Sequence, residues 1–286
     1  MSEANRLTVG QALAWATEEL RPTSPTARLD AELLLAYVCG WSRARLLAEM
    51  RMPLAEEHET AFRTLVARRA ALEPIAYLLG VREFFGLEFE VEPGVLVPRP
   101  ETELLVEAAL RWLRDHADAP QPLVADIGTG TGCIAVAVAA NAPQARLYAV
   151  DLSPDALRVA RRNIERHGLT ERVLLLEGDL LDALPEPVDL LLSNPPYTIL
   201  SEIDEGVRLH EPHLALDGGP DGLDVYRRLL AAAPTWVRPG GAVMLEIGVW
   251  QAADVRKLAL AAFPAAQVMV QQDLAGRDRV VLIEGV

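Results

Sequence analysis

A chain of 286 residues is long enough for one large domain, or for one domain with a small companion. Its formal charge of −14 argues against unassisted binding to a phosphate backbone, which needs clustered Lys and Arg, and Lys257 is the only lysine. A hydrophobic content of 51% with only 5% aromatic residues points to an aliphatic core, and no apolar run reaches membrane-spanning length.

From residue 8 to about residue 73 the pattern is helical. Thr8 can cap a segment with apolar Val9, Leu13, Trp15 and Leu20. Helices over 30–39, 43–50 and 55–72 follow, the last with apolar Phe62, Leu65 and Val66, and Pro22, Pro25, Pro53 and Pro74 punctuate them. Residues 84–91 alternate, Pro93-Gly94 turns, and Val95-Leu96-Val97 extends again, which predicts a β-hairpin across that turn. Pro98 to Glu103 leads into a helix over 104–113, and a polar stretch over 115–122 precedes the first core strand.

That strand is Leu123 to Ile127, and the run Gly128-Thr129-Gly130-Thr131-Gly132 leads from it into an apolar helix over 133–140. Glycines there allow tight turning and close approach of a ligand. A dinucleotide motif would need glycine at position 133, where Cys133 stands; the run fits the Gly-x-Gly-x-Gly of S-adenosylmethionine enzymes. A second strand over 146–150 ends in Asp151, about 20 residues past the loop, where a doubly wound fold places a carboxylate on ribose hydroxyls. Ser153-Pro154 starts a helix that Gly168 ends. A third strand over 172–176 leaves through Gly178-Asp179-Leu180.

Val188 to Ser193 reads as a buried parallel strand, and it runs into Asn194-Pro195-Pro196-Tyr197. Each proline fixes φ and removes a donor, and Pro196 also restricts Pro195, so the turn is stiff and its carbonyls lack local amide partners. The Asn194 side-chain oxygen and the Pro195 carbonyl can accept the two hydrogens of a planar NH2 group, while Tyr197 offers a flat face. That is what methyl transfer to an amide or amine nitrogen needs. Further on come a helix over 224–237, a fifth strand over 241–247, a helix over 250–263, and a closing hairpin over 267–271 and 279–283. The alternation predicts an α/β fold: a parallel sheet with helices on both faces and ligands beyond the carboxyl ends of the strands, where Gly128, Asp151, Asp179 and Asn194 lie.

Cys39 and Cys133 make neither a disulfide framework nor a metal pair, and Pro212 breaks His210-Glu211-Pro212-His213 into a loop with no metal. The first residues show no basic stretch followed by an apolar one. A cytoplasmic protein with no metal, no membrane and no direct nucleic-acid partner is expected.

The chain resembles the bacterial release-factor glutamine N5-methyltransferases over nearly its whole length. Besides Asn194-Pro195-Pro196-Tyr197, which adenine methyltransferases share, the likeness rests on Glu83-Phe84-Phe85-Gly86 and on Val97-Pro98-Arg99-Pro100-Glu101-Thr102-Glu103. It continues through Glu211-Pro212, Asp221-Gly222-Leu223, Glu246-Ile247-Gly248 with Gln251, and the run from Asp273 to Arg279. The resemblance implies a five-helix N-terminal domain over 1–75, a linker with a β-hairpin over 76–103, and a seven-stranded Rossmann-like class I methyltransferase domain over 104–286. It implies S-adenosylmethionine as donor and S-adenosylhomocysteine as product, with Asp126, Gly128, Thr129, Gly130, Thr131, Gly132, Asp151, Asp179, Leu180 and Asn194 at the cofactor. It implies Asn194, Pro195, Pro196 and Tyr197 at the substrate, with Asn194, Pro195 and Tyr197 catalytic. The acceptor would be the glutamine of the Gly-Gly-Gln loop in class I release factors, and the enzyme a monomer. Family members often carry an aromatic where Leu180 stands, which leaves adenine selectivity to Asp179. Three rivals are an adenine-N6 nucleic-acid methyltransferase using the same turn, a nicotinamide oxidoreductase, and a non-catalytic cofactor-binding partner protein.

Overall fold

The computed structural model describes residues 6–116 and 121–286. Residues 1–5 of the expected helical domain and 117–120 of the expected polar stretch lie outside that range. The chain divides into two compact units: one runs through Gly80 and includes Asp204–His210, and the other joins Val81–Ile203 to Glu211–Val286.

In the first unit, α1 (Val9–Leu20) opens on a capping box. Thr8 Oγ1 accepts from the Gln11 amide at 3.2 Å, and Gln11 Oε1 accepts from the Thr8 amide at 2.8 Å. It is followed by α2 (Ala27–Cys39), ended by Gly40 at φ 64°, and by α3 (Arg43–Ala48), α4 (Glu56–Ala70) and α5 (Ile75–Leu79). A core of Val9, Leu13, Leu20, Leu34, Leu35, Phe62 and Val66 joins α1, α2 and α4. The helix α5 has only five residues, four of them apolar, so it shows no helical period to read. The segment Asp204–His210 completes this unit: Gly206 sits against Leu72, and the His210 ring meets the Ala71 carbonyl at 3.0 Å.

The second unit opens on a hairpin, β1 (Val81–Phe84) and β2 (Leu87–Glu90), with Phe84 opposite Leu87. Its turn is Phe85-Gly86, with φ of 53° and 74°. Two positive φ values match the twist of paired strands. The expected turn at Pro93-Gly94 is therefore not the hairpin turn: residues 95–97 pair with no strand among the described residues, and the Val97 amide donates instead to Glu211 Oε2 at 3.1 Å. A phenylalanine at the first turn position, in place of Asn or Asp, masked the real turn. Buried Asn163 then fastens the hairpin. It accepts from the Glu90 amide at 2.7 Å and donates to the carbonyls of Glu90 at 3.1 Å and Thr131 at 2.9 Å.

The remaining elements are α6 (Glu103–Asp115), β3 (Leu123–Ile127), α7 (Cys133–Asn141), β4 (Arg146–Asp151), α8 (Pro154–Arg166), β5 (Val173–Glu177), β6 (Val188–Ser193), α9 (Glu205–His210, within the first unit), α10 (Asp224–Trp236), β7 (Val237–Glu246), α11 (Ala252–Ala262), β8 (Gln267–Gln272) and β9 (Asp278–Glu284). Seven of the strands form one sheet in the order β5-β4-β3-β6-β7-β9-β8. It is mixed rather than all parallel, because β9 runs antiparallel between β7 and β8. Successive side chains of each strand enter opposite cores. Val124, Leu190, Leu192 and Met244 pack with α6 and α7, while Ala125, Leu191, Val243 and Leu245 pack with α10 and α11. The chain crosses from β4 and β5 on one side of β3 to β6 on the other, so a crevice opens at the carboxyl ends of β3 and β6.

Candidate active site

A cavity of about 330 Å³ lies in the second unit, at that switch point. Nine of the residues expected at the site line it: Gly128, Thr129, Gly130, Thr131, Asp151, Asp179, Leu180, Asn194 and Pro196. Asp126, Gly132, Pro195 and Tyr197 are not part of its lining.

The glycine loop turns through φ values of 74°, 58° and 79° at Gly128, Gly130 and Gly132. A Cβ on either of the first two would meet nothing within 4 Å, so the space beside the loop is open to a ligand. A Cβ on Gly132 would stand 3.2 Å from that of Ala160, so this glycine serves the packing of α7 on α8. Asp126 is fully buried beneath the loop. Its Oδ2 accepts from the Thr129 hydroxyl at 2.6 Å and the Ala135 amide at 3.2 Å, while Oδ1 has no partner among the described residues. Burial pushes its pKa up to about 7 against the pull of those two donors.

Asp151 lies at the end of β4 with both oxygens oriented by amides: Oδ2 accepts from Gly130 at 2.8 Å and Oδ1 from Ser153 at 2.9 Å. Burial raises its pKa, and the amide hydrogen bonds of Ser153, Gly130 and Leu152 oppose the rise. Asp179 is half-exposed, and its Oδ2 is held at 2.6 Å by Arg228, which also lines the cavity. Leu180 adopts φ 53°, a left-handed conformation unusual for a branched side chain.

Asn194 donates through Nδ2 to the hydroxyl of buried Thr102 at 3.2 Å. Among the described residues nothing donates to its Oδ1 or to the Pro195 carbonyl. The turn they form is clamped on its far side. Gln251 Nε2 donates to the Tyr197 carbonyl at 3.1 Å and to that of Gly222 at 2.9 Å. A Cβ on Gly218 would lie 2.7 Å from Tyr197 Cα, and one on Gly222 would lie 2.4 Å from the Tyr197 carbonyl oxygen, so both positions need glycine. The Tyr197 hydroxyl donates to Glu246 Oε1 at 3.2 Å, and burial against that carboxyl raises its pKa. Buried Glu211 joins Arg99 at 2.6 Å and ties down the segment before α6.

The sequence gives no site role to Thr102, Arg228 or Glu246. Thr102 and Glu246 stand inside motifs quoted for other reasons, whereas Arg228 carries no local signal. No three of the described His, Cys, Asp and Glu residues stand together as metal ligands, and no described helix is long and apolar enough to cross a membrane.

The solved structure of a methyltransferase from Pyrococcus furiosus superposes with a TM-score of 0.52 at 20% identity, covering 78% of this chain and 98% of that one. Sheet order, glycine loop and cavity together define a class I methyltransferase fold. The family model described as the PrmC N-terminal domain matches residues 11–80, and that of the Methyltransferase small domain matches residues 102–209. The release factor glutamine methyltransferase of Geobacter sulfurreducens is 46% identical over 259 residues, 89% of this chain and 88% of the relative. Its namesake in Moorella thermoacetica is 45% identical over 281 residues, 96% of this chain and 98% of the relative. The chain belongs to the release factor glutamine methyltransferase family.

Proposed function

We propose that this chain transfers a methyl group from S-adenosylmethionine to the side-chain amide nitrogen, N5, of the glutamine in the Gly-Gly-Gln loop of class I peptide chain release factors. The observation that carries this reading is one cavity holding the glycine loop, Asp151 and Asn194 in a chain of this family. The residues present fit the donor. Open space beside Gly128 and Gly130 admits it, and the Asp151 carboxylate keeps acceptor capacity for ribose hydroxyls. Asp179 offers its second oxygen toward the adenine, beside Leu180. Asp126 acts from beneath, holding Thr129 and the first turn of α7 in place.

When bound, the donor supplies an electrophilic methyl group on its sulfonium. An amide nitrogen is a poor nucleophile because its lone pair is delocalised. Asn194 Oδ1 and the Pro195 carbonyl have no other donors among the described residues, and they accept the two N–H groups of the acceptor. That fixes the amide plane and stabilises charge as it develops on nitrogen. No base is required before attack, since the amide proton becomes acidic only as the new bond forms, and it then passes to solvent. Tyr197 acts as anchor of the turn, through its carbonyl to Gln251 and its hydroxyl to Glu246.

Glutamine side chains are everywhere, so selectivity comes from a second surface. The helical unit serves as the dock for the body of the release factor, while the glycine-flanked loop extends into the cavity. With that substrate, the enzyme works in the cytoplasm as a monomer and without a metal. The test is transfer of labelled methyl from S-adenosylmethionine into purified release factor, with a Gly-Gly-Ala variant as control. Label in the wild type alone is the expected result. Label in DNA or RNA, with none in release factor, would overturn the reading in favour of an adenine-type enzyme.

A further inference from the structure

Arg99 and Arg228 are the only cations among the described residues that line the cavity, and three aspartates, Asp151, Asp179 and Asp217, line it with them. The donor brings a sulfonium, an ammonium and a carboxylate into this space. Acids favour the first two. They repel the carboxylate, which is costly to bury unless a cation meets it. Where the carboxylate lies decides which arginine that is.

Strand order fixes how the donor lies. The sheet runs β5-β4-β3-β6, and the site residues follow the carboxyl ends of these strands in the same order. Asp179 follows β5, Asp151 ends β4, Gly128 follows β3 and Asn194 follows β6. With adenine at Asp179 and ribose at Asp151, the reactive methyl reaches Asn194 only when the amino-acid tail points toward β6. Arg228 stands at the opposite, adenine end, tied to Asp179 at 2.6 Å. Arg99 stands at the β6 end. Its carbonyl accepts from the Thr102 amide at 3.1 Å, and the Thr102 hydroxyl accepts from Asn194 Nδ2 at 3.2 Å.

The Arg99 guanidinium is fixed before any ligand arrives. Its Nη2 donates to Glu211 Oε1 at 2.6 Å, and the Glu211 side chain is only 1% exposed. Glu211 Oε2 accepts from the Val97 amide at 3.1 Å, so that carboxylate is shared between two donors. A guanidinium carries five N–H donors in a planar fork, and Glu211 takes one of them. The others have no partner among the described residues. The side chain is 34% exposed and lines the cavity, so those donors can meet a ligand.

We propose that Arg99 binds the α-carboxylate of S-adenosylmethionine, with Glu211 as the residue that positions its guanidinium. This inference rests on the donor proposed above.

Two ligands that differ only in that carboxylate test it: S-adenosylhomocysteine and its decarboxylated analogue, which keeps the adenosine, the sulfur and the ammonium. Titration calorimetry on the full chain gives a Kd for each. The wild type should bind the analogue about tenfold more weakly, a modest factor for a charge-assisted contact because the arginine is partly exposed. Arg99→Gln removes the charge and leaves an NH2 group that can donate to Glu211. It should weaken S-adenosylhomocysteine by about the same factor and leave the analogue within about twofold, so that the two affinities converge. Equal affinities in the wild type would overturn the inference. A ratio preserved in Arg99→Gln would also overturn it, because a variant that merely loosens the fold weakens both ligands alike. A preserved ratio with a raised KM for release factor would give the guanidinium to the acceptor instead. Where Arg99→Gln does not fold, Arg99→Gln combined with Glu211→Gln buries no unpaired charge, and the same ratio decides. Failure of the wild type to bind S-adenosylhomocysteine at all would tell against the proposed donor instead.

Discussion

Asp151→Asn is the sharpest probe of donor binding. The carboxylate is oriented before any ligand arrives, because Gly130 and Ser153 amides hold its two oxygens at 2.8 and 2.9 Å. Each oxygen retains further acceptor capacity, which is what a ribose diol requires. In the asparagine variant one oxygen becomes an NH2 group and faces an amide N–H it cannot accept from. The ligand also loses the charge that strengthens its hydrogen bonds. Losing one charge-assisted hydrogen bond costs roughly 1.5–3 kcal/mol. That corresponds to a donor Kd about tenfold to a hundredfold weaker. Titration calorimetry with S-adenosylmethionine and S-adenosylhomocysteine measures it, and Asp151→Ala separates the two effects. The alanine variant removes the carboxylate without opposing an NH2 to the loop amides, so it should lose donor affinity to a similar degree. Wild-type affinity in both variants, each with a native melting profile, would refute the reasoning.

Asn194→Ala should fold and bind donor nearly as well as wild type, while its single-turnover transfer falls by on the order of 10² to 10³; near-normal transfer would remove Asn194 from the mechanism. Asp126 has its pKa raised from 3.8 to about 7 by burial, so its contribution to stability is full below 3.8 and is lost as pH rises toward 7. Asp126→Asn should therefore gain in melting temperature over wild type at pH above about 7 and not at about pH 4, and a gain equal at both would contradict the assignment. Removing the residues through Gly80, with a short Gly-Ser linker in place of Asp204–His210, should lower transfer to intact release factor far more than transfer to a Gly-Gly-Gln peptide. Equal losses on both acceptors would mean that the helical unit serves stability.

The order of strands and helices was legible because buried parallel strands are short apolar runs bounded by glycine, proline or acid. The limits of β3 and β6 coincide with those read from composition alone. The glycine loop, Asp151 and Asn194 were legible for the same reason, each being the residue at which an apolar run stops. The misplaced hairpin turn has a local cause: Phe85 occupies a positive-φ position that sequence patterns assign to Asn, Asp or Gly. The return of Asp204–His210 to the helical unit left no local trace, since six helical residues carry too little periodicity. The partners of Asn194 and Asp179, Thr102 and Arg228, are 92 and 49 residues away in the chain, and pairing at such separation is set by topology. For the same reason Glu246 read as part of a strand end. Only the fold places its carboxyl beside the Tyr197 hydroxyl.

Mass spectrometry of purified release factor, incubated with this enzyme and methyl-labelled S-adenosylmethionine, tests the central claim most directly. The account predicts one methyl group per release factor, carried on the side-chain nitrogen of the glutamine in Gly-Gly-Gln and absent when Asn194 is replaced by alanine. A methyl group on any other residue, or full labelling by the Asn194→Ala enzyme, would contradict it.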